Sequence, residues 1–137
     1  MRRKRPKKRR IWTKVLAILP LLIAAAAAAC FYLGLVSVTD GSVRLVGSEQ
    51  ASADSWQSTY AYYEGERSRA LRGDSGQLFI GVEGQEGSLD VRVVGYGGDV
   101  LFDETFTENG SWIIDAPPRV TVTVRGEAHK GSFDVHY

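Results

Sequence analysis

The sequence predicts an all-β domain, a small antiparallel β-sandwich or barrel-like fold, preceded by one N-terminal transmembrane α-helix. Three observations carry this. Nine of the 17 Lys and Arg lie between Arg2 and Lys14. The next 25 residues, Val15 to Thr39, hold no charge at all. All 16 Asp and Glu lie from Asp40 onward, where short stretches of alternating apolar and polar residues are separated by Gly, Asp, Asn and Pro. The net charge of +1 therefore conceals a strongly basic tail and an acidic distal part. Such segregation points to contact of the basic end with a membrane or another polyanion.

The expected organisation is a basic cytoplasmic tail over residues 1–14, a transmembrane helix over 15–39 and an extracytoplasmic β-domain over 40–137. At about 1.5 Å per residue, a helix of 25 residues exceeds the roughly 30 Å hydrocarbon core of a bilayer. Leu16, Leu19, Leu21, Leu22 and Ile23 supply hydrophobicity, and Ala24 to Ala29 supply helix propensity. Pro20 removes one backbone hydrogen bond. Trp12 at one end, with Phe31 and Tyr32 at the other, suit the two interfaces. Basic residues flanking a span stay in the cytoplasm, so the distal domain is expected outside, with the cell membrane as its location. The partners this implies are the lipid bilayer through residues 15–39 and anionic lipid headgroups through the tail. A nucleic-acid role for the tail is the less favoured reading beside an apolar span.

Two processing alternatives compete with a retained anchor. A basic region, an apolar stretch and small residues also describe a secretory signal peptide, which would leave a secreted protein. The run continues through Phe31-Tyr32-Leu33-Gly34-Leu35-Val36, longer than a usual signal core, which favours the anchor. Ala27-Ala28-Ala29-Cys30 faintly resembles a lipoprotein signal, but apolar rather than polar residues follow the cysteine. Cys30 reads as an apolar residue of the helix.

The distal 98 residues are enough for one hydrophobic core and contain no cysteine to staple it. Candidate strands are Ser42 to Val46, Trp56 to Tyr63, Arg67 to Arg72, Gln77 to Val82, Ser88 to Val94, Val100 to Phe106, Ser111 to Ile114, Val120 to Arg125 and Ser132 to Tyr137. Period two assigns Leu78, Ile80 and Val82 to one inner face. The same rule places Leu89, Val91 and Val93 together, and likewise Val120, Val122 and Val124, and Phe133, Val135 and Tyr137. Asn109-Gly110 suits a type I′ hairpin, and Gly95 to Asp99 forms a second tip. Pro117-Pro118 marks a strand entry. The segment Gly47 to Ser55, rich in small polar residues, reads as a loop.

The chemistry-bearing residues form no recognisable catalytic set, so no enzyme activity, cofactor or metal site is expected. No serine sits in a Gly-x-Ser-x-Gly elbow. His129 and His136 are expected on opposite strand faces, exposed and unlike a paired metal site. The carboxylates between Asp99 and Asp115 lack calcium-loop spacing and read as an acidic edge. Asn109-Gly110-Ser111 matches a glycosylation sequon but is explained by the turn. The Gly95 to Gly98 cluster precedes a strand, not the helix a phosphate loop needs. The aromatics are the binding candidates: Trp56, Tyr60 and Tyr62 are expected on one strand face with Tyr63 on the other, as core or as a recognition surface. The function expected is a non-catalytic binding or structural module of a cell envelope, with an envelope polymer or a membrane protein as partner. The alternatives are an accessory subunit docked through its span and, least favoured, a carboxylate-dependent glycosidase.

Overall fold

A computed structural model describes residues 9–33, 36–39 and 41–137, with side chains for 18–30, 32–33, 41–45 and 47–137. The chain divides into two compact units, Met1–Leu35 and Val36–Tyr137. The first contains one helix, α1 (Arg9–Tyr32), which continues through Pro20 and is closed by a Leu33 N–H bond to the Ala29 carbonyl (2.9 Å). Among the described residues no helix is long and apolar enough to cross a membrane. The tail from Met1 to Lys8 and residue Asp40 lie outside the described residues, as do the side chains of Trp12 and Phe31.

The helix also ends earlier than the uncharged run suggests. Val36–Thr39, which the sequence places at the end of the span, is strand β1 of the second unit. Its Val-Ser-Val-Thr alternation is β-branched at three of four positions, which suits a pleated surface better than a helix. The remaining strands are β2 (Ser42–Ala51), β3 (Ser55–Arg72), β4 (Gln77–Gly95), β5 (Val100–Phe106), β6 (Gly110–Asp115) and β7 (Arg119–His136). All pairs are antiparallel, in the order β1-β2-β3-β7-β4-β5, with β6 added to β4.

The predicted all-β antiparallel domain is therefore present, built with fewer and longer strands. The pieces 56–63 and 67–72 join as β3, 77–82 and 88–94 as β4, and 120–125 and 132–137 as β7. The pairing shows how these long strands make two layers. The first part of β3 pairs the last part of β7, which pairs the first part of β4, which pairs β6; with β2 these form layer I. The last parts of β3 and β4 flank the first part of β7, and β5 joins β4; these form layer II. Register shifts fall at the corner between layers, at Tyr60–Gly65 and at Gly84–Ser88. Bulges bend and twist strands, so the sheet turns there onto itself. At Gly131 (φ +149) a Cβ would overlap the Glu83 carbonyl oxygen, so the corner requires glycine.

The inner faces of both layers meet in one core. Leu78, Ile80 and Val82 with Phe133 and Val135 come from layer I; Leu89, Val91, Val93, Val120, Val122 and Val124 come from layer II. The alternations read from sequence set these faces correctly. Two local expectations are corrected. Gly47–Ala51 continues β2 instead of looping, because it pairs with β3 from Trp56 to Tyr60. Asn109-Gly110 is not a hairpin tip: β5 and β6 both pair with β4, so residues 107–109 cross from layer II to layer I, and neither residue has positive φ. The tip at Gly95 to Asp99 is observed, with Gly95 N–H to Asp99 O at 2.8 Å and Gly98 at φ +90. At the C-terminus, β7 runs to His136 and the Tyr137 N–H reaches the Asp54 carbonyl (3.0 Å).

Candidate functional site: a polar trough on the outer face of layer I

Strand pairing aligns the outward side chains of layer I in rows across β3, β7, β4 and β6. One row holds Ser55, His136, Phe79 and Ile113. The next holds Gln57, Asp134, Gly81 and Ser111, and the third holds Thr59, Ser132 and Glu83. Gly81 leaves the middle row without a side chain on β4. A hollow of about 520 Å³ opens there, lined by Phe79, Gly81, Glu83, Asn109, Ser132 and Asp134 among others. It shares Glu83, Asn109 and Ser132 with a second hollow of about 610 Å³ that runs toward the corner at Gly84 and Gly131. The two adjoin as one trough that follows β4 and β7.

The groups around the trough are held in place. The Phe79 and His136 rings lie 4.9 Å apart, tilted by 31°. A Cβ on Gly81 would come within 2.8 Å of Phe79 Cε1, so the ring leans over the glycine. His136 Nδ1 lies 3.0 Å from Asp134 Oδ1. The Gly84 N–H donates to Asn109 Oδ1 (2.9 Å), which fixes the amide plane at the layer crossing. Lys130, at the rim, is paired with Glu86 (2.6 Å).

The aromatic residues singled out from sequence go elsewhere. Trp56 and Tyr60 point into the core, 1% and 4% exposed, with Trp56 edge-on to Phe133 at 4.9 Å. Tyr62 does not share their face. The bulge between Tyr60 and Tyr63 advances the alternation, turning Tyr63 into the core and leaving Tyr62 half-buried outside it, with its hydroxyl donating to Glu64 (3.3 Å). Tyr60 does reach the floor of the second hollow. Burial raises its hydroxyl pKa well above the ordinary value, and pushes that of Tyr63 up to about 12. His129, expected on the surface, is 1% exposed. Its Nδ1 shares a hydrogen bond with Tyr60 Oη (2.8 Å), while Nε2 lies against Gly84 without a hydrogen-bond partner. Burial lowers its pKa below the ordinary 6.5.

A second polar cluster joins β2 to β3. Glu49 Oε2 accepts from Arg67 (2.6 Å) and Arg44 (2.8 Å), and Oε1 accepts from Trp56 Nε1 (3.0 Å). Arg67 also lies over the Trp56 ring, 5.8 Å from its centroid. Burial pushes the Glu49 carboxyl up, but the bonds from Arg67 and Trp56 and the charges of Arg67 and Arg44 outweigh it and hold the pKa below the usual value. The cluster sets two guanidinium groups on one carboxylate, and these bonds tie β2 to β3. Among the described residues no group of three His, Cys, Asp or Glu side chains converges on a metal position.

The chain matches no protein-family model, and no curated protein matches it. Among solved structures, it is similar to Drosophila melanogaster CENP-C bound to CAL1, at 10% identity over 85% of this chain and 98% of that one, TM-score 0.39. KdgF from a Halomonas species gives 12% identity over 72% and 80%, TM-score 0.39. A variant of Bacillus subtilis oxalate decarboxylase OxdC gives 15% identity over 74% of this chain and 26% of that one, TM-score 0.41. At these values the likeness carries no argument about activity, ligand or partner.

Proposed function

We propose that this chain is a single-pass protein of a cell membrane, its N-terminus cytoplasmic, whose β-domain lies outside and serves as a non-catalytic binding or spacing module of the cell envelope. The charge distribution carries the reading: nine basic residues up to Lys14, then no charge until Asp40. The apolar stretch begins at Val15, upstream of the first described side chain, and stays helical to Tyr32. Those 18 residues extend about 27 Å, and snorkelling of Lys14 and the arginines before it lengthens the usable span. Within α1, the side chains from Ile18 to Ala29 are all solvent-exposed, Leu21 at 74%. A helix apolar on every side needs a surrounding apolar phase. The basic flank sets the orientation, and its attraction for anionic headgroups adds about 1 kcal/mol per residue near the surface.

Protease added to intact spheroplasts tests this. The β-domain is expected to be digested while an epitope placed before Arg2 stays protected. Protection of the domain, or recovery of the chain in the soluble fraction, overturns the reading. Cys30→Ser is expected to leave membrane attachment unchanged; release would assign attachment to a lipid on that cysteine.

A further inference from the structure

We infer that the trough over Gly81 binds a neutral carbohydrate chain, with Phe79 as the stacking ring and Glu83, Asp134 and Asn109 as the hydrogen-bonding groups. This rests on reading the domain as a binding module and gives that module its ligand class.

Shape supplies the first part of the argument. The trough lies on the face of a sheet whose backbone is already committed: β7 is paired on both sides, with β3 and β4, and β4 with β7 and β6. A peptide therefore cannot be taken up here as an added strand, and any ligand must be held by side chains. The adjoining hollows of about 520 and 610 Å³ fall in the size range of ligand sites and follow β4 from Phe79 to Gln85, which suits a chain.

Chemistry supplies the second part. A sugar ring offers an apolar C–H face and a rim of hydroxyls that both donate and accept. An aromatic ring beside a small residue takes the first, and Phe79 leaning over Gly81 is that pair. Carboxylates accept from hydroxyls at several lone-pair sites, so Asp134 retains capacity beyond its bond to His136. Asn109 spends its oxygen on the Gly84 N–H, which leaves its amide hydrogens as donors.

Charge supplies the third. Glu83 and Asp134 face the trough, and its rim cation Lys130 is already paired with Glu86. Phosphate- or uronate-bearing polymers are repelled, and a neutral chain is not.

The test uses the full-length chain in a detergent without a sugar headgroup, titrated calorimetrically with cellotetraose and with chitotetraose. Saturable binding of at least one is expected. Phe79→Ala and Gly81→Ser are each expected to weaken it at least about tenfold, which corresponds to 1.4 kcal/mol. Arg92→Ala, on the outer face of layer II, is expected to leave it unchanged. A thermal melt of each variant identifies unfolding, and Gly81→Ser keeps the ring but pushes it off its place over residue 81. No saturable binding to either sugar, or binding unaltered by both trough variants, overturns the inference. Co-sedimentation with purified cell-wall sacculi separates the two levels. Sedimentation that survives both trough variants overturns the carbohydrate site and leaves the envelope module standing. Failure to sediment, together with failure to bind either sugar, removes both.

Discussion

The two outer faces of this sandwich are made by the same three long strands, yet they differ in kind. On layer II the outward groups neutralise one another. Arg92 pairs with Asp103 (3.7 Å), Arg125 with Glu127 (3.4 Å), and Thr105 donates to Asp90 (2.7 Å). On layer I the facing rows are almost free of cations, and a glycine replaces a side chain at their centre. A charged lattice is a common way to keep a sheet face solvated, and it needs no ligand. A hollow with a leaning ring and partly satisfied carboxylates is not needed for solubility. Strand pairing brings both faces into being, and the outward residue at each step of the pleat decides which face recognises anything.

That contrast presumes a single core beneath both faces, and the largest expected effect tests the presumption. Tyr60 lies in layer I near the corner, buried against Tyr63, His129 and Phe133. Tyr60→Ala is expected to cost about 3–5 kcal/mol, from the lost ring and the cavity it leaves. A domain of this size has about 5–15 kcal/mol in all, so both layers should unfold together in one denaturant transition. Tyr62→Ala, two residues on within the bulge and turned away from the core, should cost about 1 kcal/mol or less. Two separated transitions in Tyr60→Ala would mean that the layers are independent.

Glu49→Gln comes next, at about 2–3 kcal/mol. The substitution keeps the shape but removes the negative charge that compensates Arg44 and Arg67 and accepts from Trp56. The side chain is 17% exposed, so the cost lies below that of breaking a fully buried pair. Urea unfolding at neutral pH measures it. A cost near zero would place the cluster among ordinary surface pairs.

His129, at the corner end of layer I, makes the stability of the domain depend on pH. Its folded pKa lies below 6.5, whereas in the unfolded chain the imidazole titrates near that value. The unfolded state therefore binds the additional proton first. Stability is complete above about pH 6.5 and falls as pH drops through the window down to the folded value, by up to about 1.4 kcal/mol per unit. Burial is the cause: Tyr60 shares the hydrogen bond of Nδ1, and Nε2 lies against Gly84. Denaturant midpoints of the parent chain and His129→Gln, compared at pH 7.5 and 5.5, isolate the effect. An equal decline in both would assign it to other groups.

Much of the fold is legible in the sequence and much of the site is not, for one physical reason. Period-two alternation is a local signal, so Val120, Val122 and Val124, and Leu78, Ile80 and Val82, announce their inner face directly. A bulge adds one residue without leaving a mark in composition. The shift between Tyr60 and Tyr63 therefore moved Tyr62 outward and Tyr63 inward, against simple counting. The run through Gly84, Gly87, Gly126 and Gly131 looks like strand ends, yet these glycines let strands turn the corner unbroken. The trough depends on cross-strand neighbours, Gly81 beside Asp134 and Phe79 beside His136, more than 50 positions apart in the chain. Among those residues Gly81 offered the one usable hint, since a glycine inside an apolar strand often marks a close approach or a hollow.

The smallest expected effect bears on layer II itself. If its outer charges form a solvated lattice, their pairs should contribute almost nothing to stability. Arg92 and Asp103 are 3.7 Å apart, with side chains 53% and 58% exposed. At such exposure water screens the attraction, and holding two long side chains together costs entropy. A double-mutant cycle of Arg92→Ala and Asp103→Ala should return a coupling below about 0.5 kcal/mol, shrinking further in 1 M salt as the Debye length falls to about 3 Å. A coupling above about 1 kcal/mol that persists in salt would show a rigid, desolvated network. Layer II would then be as organised as layer I, and the contrast between the faces would have to rest on the Gly81 hollow alone.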